Sequence, residues 1–302
     1  KEENMKKFWI LFMVLTTVFS AFSINISVSI YPYYLAVREI ADEKDSIKLI
    51  IPQGKSPHTY ALTVENVKNL YESDILIVNG LDVEIFIEKV LVSLQQKNIP
   101  VLYVAQSIKQ DELSIEEEDH HDEDKESHNE EEHVHSGVNP HVWTSPYLMY
   151  NYMIPAITSE LIKINPKSKT LYEANAQKLI QRLKLQDQQF LSVSKEMKIS
   201  FFTFHNSFPY FAKRYGFKIA GVVQLSPGID PTPSQMKSII DTAKAENANV
   251  IFIEPQLSDR AAKAIAASAR LKIGILDPLG NSSMKTITDL YQYNFDQIMK
   301  LK

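Results

Sequence analysis

The sequence of 302 residues contains no cysteine. That absence excludes disulfides, thiolate metal sites, catalytic thiols and a lipid-anchored N-terminal cysteine. Beyond residue 23 no stretch approaches the roughly 20 consecutive apolar residues of a membrane-spanning helix, so this part of the chain is expected to be soluble. A His-Glu-x-x-His pattern, which in metalloproteases sets a general base beside zinc, is also missing. What is present has an ordinary globular balance, with 44 % hydrophobic and 23 % charged residues. At about 100–200 residues per domain, the length predicts two domains.

Basic residues nearly vanish from one place. Between Asp111 and His135 lie 13 of the 37 acidic residues and one of the 32 basic ones, so this segment carries −12 and the remainder (31 − 24) carries +7. It also holds His120, His121, His128, His133 and His135, and almost nothing that could enter a core. Such a composition predicts a disordered, solvated insertion whose histidines form weak accessory metal sites.

Glycine and proline are absent from Thr170 to Met197, where Leu171, Leu179, Leu183, Phe190 and Leu191 recur at helical spacing. This predicts one helix about 40 Å long at 1.5 Å per residue. On either side, β-branched runs alternate with helical patterns, the arrangement that builds parallel sheets from βαβ units. The candidate strands are Ser46–Ile51, Ile75–Asn79, Val101–Val104, Ser200–Phe204, Val250–Ile253 and Lys272–Leu276. Near the start, Met5-Lys6-Lys7, the apolar run Phe8 to Phe19 and the small residues through Ser23 read as a signal peptide. The expected organisation is therefore upstream residues and signal peptide (1–23), an N-terminal α/β lobe (24–165) containing the insertion (111–135), a linker helix (166–197) and a C-terminal α/β lobe (198–302).

The three remaining histidines each follow a turn or a strand end. His58 closes Gln53-Gly54-Lys55-Ser56-Pro57-His58, His141 closes Asn139-Pro140-His141, and His205 follows the strand ending at Phe204. One loop histidine is usually only a surface residue. Three at comparable positions point to a shared ligand, because open α/β sheets bind ligands outside the carboxyl ends of their strands. Asp277 follows the strand ending at Leu276 in the same manner, and Glu254 ends the strand Val250–Ile253. Three neutral imidazoles and one carboxylate fill a tetrahedral zinc shell. Spacing alone leaves open which of Asp277 and Glu254 is the carboxylate. Ser145-Pro146 supplies an N-cap and first-turn proline for a helix just beyond His141.

Five stretches occur in order: Ser56-Pro57-His58-Thr59-Tyr60, Asn139-Pro140-His141-Val142-Trp143, Phe204-His205-Asn206-Ser207-Phe208, Ile253-Glu254-Pro255-Gln256 and Leu276-Asp277-Pro278-Leu279-Gly280. From about Val28 to the C-terminus the chain closely resembles the zinc-type solute-binding proteins of bacterial ABC importers, the ZnuA-like group. The resemblance implies two similar four-stranded α/β lobes joined by one long rigid helix. It implies metal in the interlobe cleft, held by His58, His141, His205 and Asp277, and ranks Asp277 ahead of Glu254. It further implies a monomeric, periplasmic zinc receptor that serves an inner-membrane permease and its cytoplasmic ATPase, with no nucleic-acid partner. The acidic insertion matches the variable metal-rich loop of zinc-type members. Some members carry a disulfide in the C-terminal lobe, which this chain cannot form.

Manganese-type relatives usually have a glutamate where this chain has His205, and imidazole suits zinc while carboxylate and water suit manganese. A manganese receptor of the same family and a metal-dependent surface adhesin are the alternatives. An enzyme is not expected, since a catalytic zinc keeps one position open for water and four protein ligands would close the shell. Metal binding by three imidazoles is expected to weaken below roughly pH 6.5, where ordinary histidines take up protons.

Overall fold

The computed structural model describes residues 23–115, 137–224, 229–246 and 248–301. The signal peptide, apart from Ser23, and the insertion beyond Ile115, with all five of its histidines, lie outside the described residues. No helix among the described residues is long and apolar enough to cross a membrane.

Two four-stranded sheets form the lobes. The first is ordered β2-β1-β3-β4, from β1 (Asn25–Val28), β2 (Ser46–Leu49), β3 (Ile75–Val78) and β4 (Val101–Tyr103). The second is ordered β6-β5-β7-β8, from β5 (Ser200–His205), β6 (Lys218–Gln224), β7 (Val250–Ile253) and β8 (Lys272–Ile275). Neighbouring strands are parallel throughout. Each sheet therefore has a switch point beside its first strand, and beyond such points open α/β sheets bind ligands.

Alternation along the strands assigns each sheet two apolar faces. Ile75 and Ile77 enter a core shared by the lobes, while Leu76 and Val78 join Leu70 and Leu94 beneath the helices Val64–Tyr71 and Glu88–Gln96. In the second sheet Val250 and Phe252 enter the shared core. Ile251, Phe202 and Phe204 face the other way, toward Ile239 and Ile265 of the helices Pro233–Ala245 and Arg260–Ala269. The inner strands β3, β5 and β7 are buried on both faces and read as largely apolar runs, whereas β2, β4 and β8 are partly covered or exposed and are legible from their β-branched and apolar residues.

The other two, β1 and β6, break that pattern for physical reasons. In β1 the buried Ser27 makes a 2.6 Å hydrogen bond with Ser73, so a polar residue sits inside the strand. At the centre of β6 is Gly221, where an added Cβ would lie 2.6 Å from Phe202 Cε1. The aromatic ring needs that empty position.

The long helix spans Lys169–Ser194 behind a 3-10 turn at Pro166–Ser168. Its buried stripe is Tyr172, Ala176, Leu179, Leu183, Asp187, Phe190 and Ser194. Leu171, expected on the stripe, is 39 % exposed because the stripe passes through Tyr172 instead. Asp187 lies fully buried in the stripe. Its carboxylate accepts from Arg214 Nε and Nη2 at 3.1 and 2.5 Å and from the hydroxyls of Tyr150 and Tyr215 at 3.0 and 2.9 Å. Four donors on one carboxylate compensate the desolvation of its charge.

Direct bonds also tie the lobes together. Tyr31 donates to Met284 O at 2.9 Å, Trp143 Nε1 to Pro278 O at 2.8 Å, and Tyr291 to Trp143 O at 2.7 Å.

Candidate metal centre

Each candidate histidine is carried by a short rigid element at the cleft. His58 sits in the 3-10 turn Pro57–Thr59, after a loop turned by Gly54 at φ 80°. His141 precedes the 3-10 turn Val142–Thr144. As expected from Ser145-Pro146, a helix starts directly beyond it, with the Ser145 hydroxyl accepting from Leu148 N. That helix passes through a π turn at Met149–Met153 before Ile154–Ile164. Pro155, at the start of that last segment, has no N–H to donate to the turn before it. His205 is the last residue of β5, beside the switch point of the second sheet.

The structure brings these three together. Among the described residues they form the group of metal-ligating side chains whose ligand atoms all lie within 4.8 Å of one another. Their ring centroids are 4.7 to 5.3 Å apart. His58 Nε2 and His141 Nε2 are separated by 3.2 Å. Two nitrogens bound to a tetrahedral zinc at about 2.05 Å would stand about 3.3 Å apart, so this spacing suits one ion between them.

Burial holds the pair neutral. The His58 imidazole is pushed down to about 4, chiefly by desolvation and secondly by His205. His141 is driven well below the ordinary histidine value, again by desolvation first and then by His205 and His58. A neutral ring is the form that binds metal.

Behind two of the rings, those of His141 and His205, stand oxygen acceptors. Asn139 Oδ1 lies 3.1 Å from His141 Nδ1 and accepts from the His141 backbone N–H at 3.0 Å. Glu254 Oε1 lies 3.5 Å from His205 Nδ1 and accepts from the Ser207 hydroxyl at 2.5 Å. With Nδ1–H directed at an acceptor, Nε2 keeps its lone pair for a metal.

Asp277 lies outside the histidine group. It is buried, and its Oδ1 accepts from Gln256 Nε2, Leu279 N and Gly280 N at 2.7, 3.1 and 2.8 Å. Its Oδ2 has a 3.4 Å contact with Asn281 Nδ2. Glu254, the other carboxylate considered, stands against the back of His205.

A further network under His141 is not legible in the sequence. Asn79 Nδ2 donates to Pro140 O at 3.0 Å, and Asn79 Oδ1 accepts from Tyr33 at 2.6 Å. Glu84 accepts from Ser29 Oγ, Asn79 N and Gly80 N at 2.6, 2.8 and 3.0 Å. Burial pushes the Glu84 carboxyl up to about 7, against the lowering effect of these bonds. Nothing in the local pattern marks Glu84 or Asn79, because both act through the fold.

Two parallel α/β lobes with three clustered imidazoles between them make a two-lobed protein with a candidate metal centre in its cleft. Residues 26–301 match the family described as zinc-uptake complex component A, periplasmic, and the chain belongs to it. This is a family of binding receptors, not of enzymes.

The chain is 31 % identical over 257 residues to the high-affinity zinc uptake system protein ZnuA of Bacillus subtilis, covering 85 % of this chain and 78 % of that one. It is 27 % identical over 278 residues to the protein of the same description from Yersinia pestis, covering 89 % and 87 %. A crystal structure of a ZnuA deletion mutant (138–173) with zinc bound superposes with a TM-score of 0.73 at 25 % identity, covering 92 % of this chain and 98 % of that one.

Proposed function

We propose that this protein is an extracytoplasmic receptor that binds one zinc ion in the cleft and delivers it to an ABC permease driven by a cytoplasmic ATPase. The observation that carries the reading is the meeting of three imidazole nitrogens, two from the first lobe and one from the second, in a chain of the zinc-uptake family. Relatives named for zinc uptake, and the zinc-bound ZnuA structure, support zinc as the cargo. So does the chemistry, because a nitrogen-rich donor set favours zinc over manganese.

On this reading His58, His141 and His205 bind through nitrogen and Asp277 adds the carboxylate. Three donors occupy Asp277 Oδ1, so Oδ2 is the oxygen available to the ion. Glu254 orients His205 without binding metal itself. Residues 1–23 direct export, and His120, His121, His128, His133 and His135 collect zinc weakly. The lobes are taken as 24–165 and 198–302, joined by the 166–197 linker.

Competition of the purified protein against a chromogenic zinc chelator tests this, with manganese present in a parallel series. The expected result is one tightly held zinc per chain that displaces manganese, and its loss in His141→Ala. Manganese that stays bound in excess zinc would overturn the choice of metal. Unchanged tight binding in His141→Ala would overturn the site.

A further inference from the structure

The hydrogen bonds leading away from His141 cross the cleft. Asn139, which accepts from His141 through Oδ1, uses Nδ2 to donate to the carbonyl of Asn206 at 2.8 Å, next to His205. The Asn139 carbonyl accepts from the Tyr210 hydroxyl at 2.6 Å, on the second-lobe helix Pro209–Tyr215. The same hydroxyl accepts from Ser114 N at 3.2 Å, and Ser114 O accepts from Asn139 N at 2.9 Å. Ser114, Asn139 and Tyr210 thus close a ring of three hydrogen bonds, with the bridge between Ile115 and Val138 beside it. Asn139 and Tyr210 are both buried.

We infer that Asn139 and Tyr210 are positioning residues of the metal centre, with the Tyr210 hydroxyl fixing the Asn139 peptide so that Asn139 aims His141 at the ion. The inference rests on the reading of His141 as a ligand. Its physical basis is that an acceptor held at Nδ1 sets both the tautomer and the rotation of the ring, and such partners typically alter metal affinity 10- to 100-fold. Asn139, a first-lobe residue, is held by two second-lobe contacts, Asn206 O and the Tyr210 hydroxyl. The aim of a first-lobe ligand therefore depends on where the second lobe stands. Tyr210 acts at one remove, and the loss of its hydrogen bond to Asn139 corresponds to roughly a fivefold effect.

The test compares wild type, Tyr210→Phe, Asn139→Ala and Tyr147→Phe. Two quantities are read: zinc release into excess chromogenic chelator, and the d–d absorption of the cobalt-loaded protein. Tyr147 is the control, since its hydroxyl donates to Glu112 Oε1 at 2.9 Å and makes no bond with Asn139.

Tyr210→Phe is expected to release zinc about fivefold faster with an altered cobalt spectrum, and Asn139→Ala about 10- to 100-fold faster. Tyr147→Phe should behave as wild type. Wild-type release and an unchanged spectrum in Tyr210→Phe overturn the inference, whatever happens to its metal-free melting temperature. Equal acceleration in Tyr147→Phe overturns it too, because that would report general loosening of the cleft. Full binding by His141→Ala would instead refute the metal-site reading, which separates the two failures.

Discussion

Acidification sets protons against the metal for the same imidazole nitrogens, and the structure makes that contest unequal. An ordinary histidine with a pKa of about 6.5 is diluted about 30-fold by protonation at pH 5, and three acting together would weaken binding roughly 30,000-fold. With its imidazole at about 4, His58 loses only about 10 % of its neutral form at pH 5. His141 is held lower than usual by the same burial. With His58 and His141 already neutral over this range, the weakening between pH 6.5 and 5 is expected to fall far short of the roughly 30,000-fold of three ordinary rings. This revises the steep loss below pH 6.5 that unperturbed histidines would give.

The corresponding cost appears in the metal-free protein. In the window from 6.5 down to 4 the unfolded chain binds the His58 proton and the folded one does not, so stability falls as pH falls. The full effect is on the order of 3 kcal/mol for this one ring. The assay is chelator competition from pH 5 to 8, corrected for protonation of the chelator. Urea unfolding of metal-free wild type and His58→Gln over pH 4 to 8 accompanies it. A zinc affinity that falls by two or more decades per pH unit between 6.5 and 5 would refute the reasoning. So would an unfolding slope against pH that His58→Gln leaves unchanged.

Two further predictions concern the frame. Arg214→Met removes both charged donors from the buried Asp187 and should cost about 3–5 kcal/mol. At roughly 2–4 °C per kcal/mol, that is a fall in melting temperature of about 6–20 °C, part of which Asp187→Leu added to Arg214→Met should recover; a fall under about 2 °C would contradict it. Gly274→Ala would set a Cβ 2.4 and 2.5 Å from Phe252 Cε1 and Cδ1. Forcing the buried ring aside should cost about 1–3 kcal/mol in urea unfolding, and an unchanged midpoint would show that the ring can yield.

The sequence displays what depends on local pattern. His58, His141 and His205 are legible because each sits at a turn or strand end, where a histidine has no packing reason to recur. The long helix is legible because nothing in Thr170 to Met197 interrupts it. What escapes depends on contacts distant in sequence. Asp187 looks like surface until Arg214 and two tyrosines are folded around it. Asn139 reads only as part of a turn before Pro140, although its side chain reaches His141 and Asn206 and its carbonyl meets Tyr210. Ser27 breaks the apolar run of β1 because its hydroxyl is satisfied only in the fold, by Ser73, and Gly221 interrupts β6 where the Phe202 ring needs the space.

The apolar core shared by the lobes bears on how the molecule melts. Ile26 and Ile77 of the first sheet, Phe201 and Phe252 of the second, and Leu183 and Phe190 of the long helix belong to one continuous cluster. Phe190 stacks on Phe295 of the last helix at 3.9 Å. A cut through the long helix would leave each half with an uncovered oily face, so neither half is an autonomous folding unit. Heating should produce one calorimetric transition for the whole chain, and an ion bound at the edge of the cleft should raise the temperature of that single transition.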